Sequence, residues 1–298
     1  MAQALSDFLS PDDDCSESLR FALEEQWANL PRVFSSRGID NYLKGCTALD
    51  QLGRSEELPL AFAACMPEVA RAIGEDVLPD IVNFLLSMAS KTSGQVLAAI
   101  VHAAPIVARR LGDPELFRQF LQVLANMLAQ VPRGVRPMLE QLDTLLSQLT
   151  LGGLRRWALW GAQAYKNDLE GQVLYFSLQS EDARAMLQAE RKGTLFVDIQ
   201  RRLLIYLRAI WGRDFFLRPT SGDYEHREGL KPYIDRFVIH IPDAFDDWSD
   251  AGEKKTVSGL DVYRAVVNHC AAHLQFGREP LTDEGLTPLQ RHLVECIE

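Results

Sequence analysis

The sequence predicts a mainly α protein: an N-terminal layer of stacked helix pairs, as a short helical solenoid or a bundle, followed by a small α+β domain. Three observations predict it. Apolar residues recur at helical spacing from Ser18 to about Tyr165. Within that stretch an eight-residue segment returns at an offset of 38 positions. After Tyr165 the pattern changes, and short aromatic and β-branched runs appear between helices. The expected division is an acidic arm over 1–17, a helical repeat-like domain over 18–165, and a small α+β domain over 166–298, truncated at its C-terminal end.

The elements follow in order. Leu19, Leu23, Trp27 and Leu30 mark a first helix that Pro31 ends. Ile39, Tyr42, Leu43, Cys46 and Leu49 form the stripe of a second helix, stopped by Gly53. Pro67-Glu-Val-Ala-Arg-Ala-Ile-Gly74 then matches Pro105-Ile-Val-Ala-Arg-Arg-Leu-Gly112, and an acidic residue, Glu75 or Asp113, follows each copy. Second helices over 77–89 and 115–131 complete the two units. A third pair is expected over 135–149 and 151–165. A period of about 40 residues with two helices per unit reads as a solenoid, in which each pair buries its apolar face against its neighbours. Beyond it, Ser180 caps a helix with an acidic first turn. A long helix covers 194–211. Phe215–Leu217 and Phe237–Ile241 read as strands, with loop from Pro219 to His226 and a connector over 243–255. Helices are expected over 257–276 and from Thr287-Pro288 onward.

Composition excludes several function classes. The 298 residues carry 31 Lys and Arg against 41 Asp and Glu, a net charge of −10 that suits no polyanion. No apolar run approaches the length of a membrane span. The N-terminus lacks the basic start and apolar core of a signal peptide. Five cysteines without a CxxC pair suit a reducing cytoplasm, not a disulfide framework or zinc ribbon. No phosphate-binding GxxxxGK[ST] or GxGxxG and no GxSxG elbow is present.

The motif closest to chemistry is His269-Cys-Ala-Ala-His273. Two histidines at i and i+4 share a helix face and can reach one metal ion. Zincins use this spacing as HExxH, with the Glu as general base toward a zinc-bound water. Cys270 stands in the Glu position and cannot take over that base. The small domain is therefore expected to carry degenerate zincin-like features, with His269 and His273 as a vestigial metal pair and Glu295 or Glu298 as a third ligand. Histidines packing at a domain surface without metal are the plainer reading. Asp14-Cys-Ser-Glu-Ser18 fits the DxSxS string of magnesium sites but lacks the apolar strand that must precede it, so Asp14 or Ser16 is read as a helix cap. Arg155, Arg156, Trp157 and Trp160 are read as an amphipathic helix with Leu154, Trp157 and Trp160 inward. Arg201, Arg202 and Arg208 form a solvated face within reach of the acidic stretch 243–250. His102, His226 and His240 are isolated in sequence and receive no role.

Several long stretches are familiar. Ser90-Lys-Thr-Ser-Gly94, Gly153-Leu-Arg-Arg-Trp-Ala-Leu-Trp-Gly-Ala-Gln-Ala-Tyr165, Arg191-Lys-Gly-Thr-Leu-Phe-Val-Asp198, Trp211-Gly-Arg-Asp-Phe-Phe-Leu-Arg-Pro-Thr-Ser-Gly-Asp223 and Val238-Ile-His-Ile-Pro-Asp243 resemble the CbbO/NorD family. His269-Cys-Ala-Ala-His-Leu274 stands where that family usually has His-Ala-Ala-Ala-His-Leu. The resemblance runs from about Trp27 to Glu298. It implies the N-terminal part of an adaptor whose later von Willebrand A domain, with its magnesium site, lies outside this sequence. It further implies a cytoplasmic, non-enzymatic role beside a MoxR-type AAA+ ATPase hexamer (CbbQ), where ATP and magnesium are bound, and a carboxysome association is compatible. In CbbQO-type Rubisco activases the pair acts on Rubisco and releases inhibitory sugar phosphates; the NorD branch serves nitric oxide reductase. A metal-dependent peptidase and a purely structural scaffold remain as alternatives.

Overall fold

The computed structural model describes residues 15–191, 193–220, 231–249 and 256–276. The start of the acidic arm, His226, part of the 243–255 connector, the expected helix from Thr287, and Glu295 and Glu298 lie outside them. The described residues form thirteen α-helices and seven short strands, so the chain is mainly helical. None of these helices is long and apolar enough to cross a membrane. The chain divides into two compact units, Met1–Arg191 and Lys192–Glu298.

The first unit holds α1 (Glu17–Gln26), α2 (Ser36–Gln51), α3 (Glu57–Ile73), α4 (Leu78–Met88), α5 (Gly94–Leu111), α6 (Pro114–Gln130), α7 (Pro132–Glu140), α8 (Leu142–Gln148), α9 (Leu151–Ala164), α10 (Leu169–Phe176) and α11 (Glu181–Glu190). Neighbour relations sort them into two rows. α1, α3, α5, α7 and α10 touch in succession, and so do α2, α4, α6, α9 and α11. The repeated segments form the ends of α3 and α5, which pack directly on each other. One cluster from Leu19 to Leu187 fills the space between the rows.

Each copy of the repeat ends on a glycine for a backbone reason. Gly74 has φ 91° and Gly112 φ 63°, values that β-carbons disfavour. The acidic residues that follow serve different helices. Asp113 caps its own helix, its carboxylate accepting from the amides of Glu115 (2.8 Å) and Leu116 (3.1 Å). Glu75 reaches back to the start of α2, accepting from the Ser35 amide (2.8 Å) and the Ser35 hydroxyl. The Ser35 oxygen in turn accepts from the Gly38 amide at 3.1 Å.

The helical unit runs to Arg191, past the expected end at 165, because α10 and α11 pack on α7 and α9. The Trp157 indole donates to the Ala183 carbonyl (3.0 Å), and the Tyr175 hydroxyl donates to the Trp157 carbonyl (2.9 Å). Trp157 and Tyr175 also stack, with ring centroids 4.9 Å apart. α10 itself was not expected: its apolar residues Leu169, Val173 and Leu174 are exposed, so it has no clean helical stripe. Two further expectations shift locally. Pro31 lies within a 3₁₀ turn, Trp27–Arg32, that continues α1. The single helix expected over 135–149 breaks at Gln141 into α7 and α8.

The second unit holds β1 (Thr194–Leu195), α12 (Phe196–Trp211), β2 (Phe216–Pro219), β3 (Tyr233–Asp235), β4 (Val238–Ile241), β5 (Ala244–Phe245), β6 (Trp248–Ser249), β7 (Thr256–Val257) and α13 (Gly259–Phe276). Its main sheet has the order β2-β4-β3, with β2 parallel and β3 antiparallel to β4. Leu217, Ile239 and Ile241 from the sheet pack with Phe196, Ile199, Leu203 and Leu207 from α12 and Tyr263, Val267 and Ala271 from α13. The Tyr263 hydroxyl finds the Pro242 carbonyl at 2.8 Å, which lets the ring sit fully buried.

Candidate functional site

α13 begins with a compact cap. The Ser258 oxygen accepts from the Asp261 amide (3.2 Å), and its hydroxyl donates to the Asp261 carboxylate (2.7 Å). With the Arg264 guanidinium at 3.1 Å, these bonds hold the Asp261 carboxyl below the usual carboxylate range. The helix buries Tyr263, Val267, Cys270 and Ala271 against the sheet and α12. That fixes its rotation. His269 comes out exposed and His273 half-buried, one turn apart.

The two histidines meet. Their Nε2 atoms lie 3.1 Å apart, with ring centroids at 4.6 Å and planes crossing at 85°. One Nε2–H donates to the other ring's Nε2 lone pair. Cys270 turns the other way, 5% exposed in the core, and burial pushes its thiol up to about 11. A protonated, core-facing thiol does not act as a base at neutral pH. Glu295 and Glu298, the expected third ligands, lie outside the described residues. Among those described, no group of three or more His, Cys, Asp or Glu could hold a metal ion. Three further bonds hold the neighbourhood, one of them from the Arg213 guanidinium to the Gln275 amide oxygen at 2.8 Å. The Trp211 indole donates to the Asn268 amide oxygen (2.9 Å), and the Asn268 amide nitrogen donates to the Tyr206 hydroxyl (3.2 Å).

A second constellation was not legible residue by residue. On α5, His102 places Nε2 at 3.3 Å from the Glu57 carboxylate and Nδ1 at 3.9 Å from the Cys65 sulfur, both on α3. The signal that could have found it is the repeat offset. Stacked equivalent helices bring residues about 38 positions apart face to face, and Cys65 and His102 are 37 apart. Burial and the Glu68 charge push the Cys65 thiol up, and the His102 and Glu57 side chains are more than half exposed. A thiol held in its protonated form is a poor nucleophile, so the trio reads as a contact between helices.

The remaining candidates resolve into structure. Leu154 and Trp157 are fully buried and Trp160 is half-buried against the same core, as expected for α9. Arg156 pairs with Glu190 at 2.7 Å. Arg208 lies 3.6 Å from Asp214. Ser16 occupies the N-cap position of α1 but makes no side-chain cap bond. Its hydroxyl and amide both donate to Asp50, at 2.9 and 2.7 Å. His240 stacks flat on Tyr233, with centroids 4.4 Å apart and planes at 4°.

Comparison with known protein families, with curated proteins and with solved structures returned no match.

Proposed function

We propose that this chain is a non-catalytic adaptor of the CbbO/NorD kind. In this reading it couples a MoxR-type AAA+ ring, CbbQ, to inhibited Rubisco, so that inhibitory sugar phosphates are released. The observation that carries the reading is the set of long stretches resembling that family, from Ser90–Gly94 to His269–Leu274. They fall in both units. The stretch Gly153–Tyr165 supplies α9 and the Trp157 core, and Val238–Asp243 supplies the central strand β4. The chain is also helix-rich and net acidic, which suits protein docking better than nucleic-acid binding. ATP hydrolysis belongs to the partner ring, and the magnesium site that contacts Rubisco belongs to a von Willebrand A domain outside this sequence.

The same stretches support a NorD-like role in nitric oxide reductase activation, and neighbouring genes distinguish the two. A metal-dependent peptidase of degenerate zincin type would rest on His269 and His273 alone. A small sheet precedes that helix, but the residue in the general-base position is the buried Cys270.

The test is co-elution of the chain with its purified MoxR-type ATPase, with ATP turnover measured alongside. A stable complex with a changed turnover rate is expected. Separate elution with unchanged turnover would overturn docking through residues 1–298.

A further inference from the structure

We propose that His269 and His273 form a bidentate site for an imidazole-favouring divalent transition ion, such as zinc, nickel or copper, on the surface of α13. The proposal stands on geometry and does not rest on the adaptor reading.

Two imidazole nitrogens that bind one ion at about 2.0–2.1 Å each, and lie 3.1 Å apart, subtend an angle of about 100° at the ion. That lies between the octahedral and tetrahedral values, so both nitrogens can be ligands with little movement. The facing atoms are Nε2 on both rings, 3.1 Å apart with the ring planes at 85°, so both nitrogens border the same gap. The burial of Val267, Cys270 and Ala271 fixes the helix rotation, so the pair is presented and not free to turn inward. In the ion-free protein the two rings share one Nε2 proton. On binding, that Nε2 releases its proton and the same ring is protonated at Nδ1, so both Nε2 lone pairs face the ion and the charge of the pair is unchanged.

The ligand set also decides selectivity. Among the described residues the pair offers two imidazole nitrogens and no third His, Cys, Asp or Glu, a set that favours zinc, nickel and copper over magnesium and calcium, which take oxygen ligands.

The experiment is a zinc titration of the untagged full chain against a chromophoric chelator, repeated with cobalt so that visible absorption reports nitrogen ligation. The expected result is one equivalent bound by the wild type. His269→Ala and His273→Ala should each weaken binding by on the order of tenfold or more, with unchanged circular dichroism. Millimolar magnesium or calcium should not compete. Because His269 is exposed, its replacement leaves the core intact, and His269→Gln, which keeps a polar side chain of similar reach without the imidazole, should weaken binding in the same way. Wild-type affinity in the His269→Ala/His273→Ala double variant would overturn the proposal. So would an absence of zinc binding to the wild type, or equal binding of magnesium.

Discussion

Pro67 removes one amide donor from the middle of α3, and the carbonyl it leaves unpaired is that of Ala63, four residues earlier. Tyr42 answers this. Its hydroxyl donates to the Ala63 carbonyl at 2.8 Å from a fully buried ring, stacked near Phe34 and Phe62. Burial, with a smaller push from Cys46, raises the Tyr42 hydroxyl well above its usual range, so it remains a donor. Tyr42→Phe should therefore orphan a buried carbonyl and cost about 1–3 kcal/mol in urea unfolding. In a Pro67→Ala background the restored amide can take that carbonyl, and Tyr42→Phe should cost clearly less. Equal costs in both backgrounds would break the link between the two residues.

At the scale of elements, the two repeat copies look alike but end differently. Gly112 caps α5 at φ 63° and ψ 8°, a left-handed conformation that asparagine tolerates. Gly74 follows α3 at φ 91° and ψ 161°, a region open to glycine almost alone. Neither glycine has an atom near an added Cβ, so the cost of replacement is conformational. Gly112→Asn should be tolerated better than Gly112→Ala. At position 74 both Asn and Ala should cost about 1–3 kcal/mol. Thermal melts of the four variants check this, and equal losses from Gly112→Asn and Gly74→Asn would contradict it. The same contrast explains the acidic residues. Asp113 follows a left-handed cap directly and closes its own helix, whereas the extended Gly74 sends Glu75 to the start of α2.

For the whole molecule, the buried titratable groups set the alkaline limit. Cys46 lies fully buried, and burial pushes its thiol far above the ordinary 9.0. Tyr42 and Tyr175 are raised in the same direction, also by burial first. Each group is neutral when protonated, and its folded value exceeds its unfolded one. The contribution to stability is complete below the unfolded value. Above it, the unfolded chain releases protons that the folded chain keeps. Stability should then fall by about 1.4 kcal/mol per pH unit for each group in play, first for the thiol and then for the phenols. The urea midpoint should drop between about pH 8 and pH 10. Cys46→Ala should start lower, because it leaves a small cavity, but fall less steeply. A midpoint that holds steady or rises over that range would contradict this account.

What the sequence by itself determined is the helical class and the position of most helices. Those are written in local periodicity and in stop signals such as Gly53, Gly74 and Gly112, which act within a few residues. It also placed His269 and His273 on one helix face, because a spacing of four residues is local. The tertiary structure alone decided the rest. It extended the helical unit through α10, which stacks Tyr175 on Trp157, and α11, whose Ala183 carbonyl takes the Trp157 indole. It added β3, three residues long and paired with β4. It brought His102 to Cys65, Glu75 to Ser35 and Tyr42 to the Ala63 carbonyl. It also turned Cys270 into the core while leaving His269 exposed and His273 half-buried. In each case the partner comes from another element, and periodicity along one helix carries no record of which side chain the next one will present.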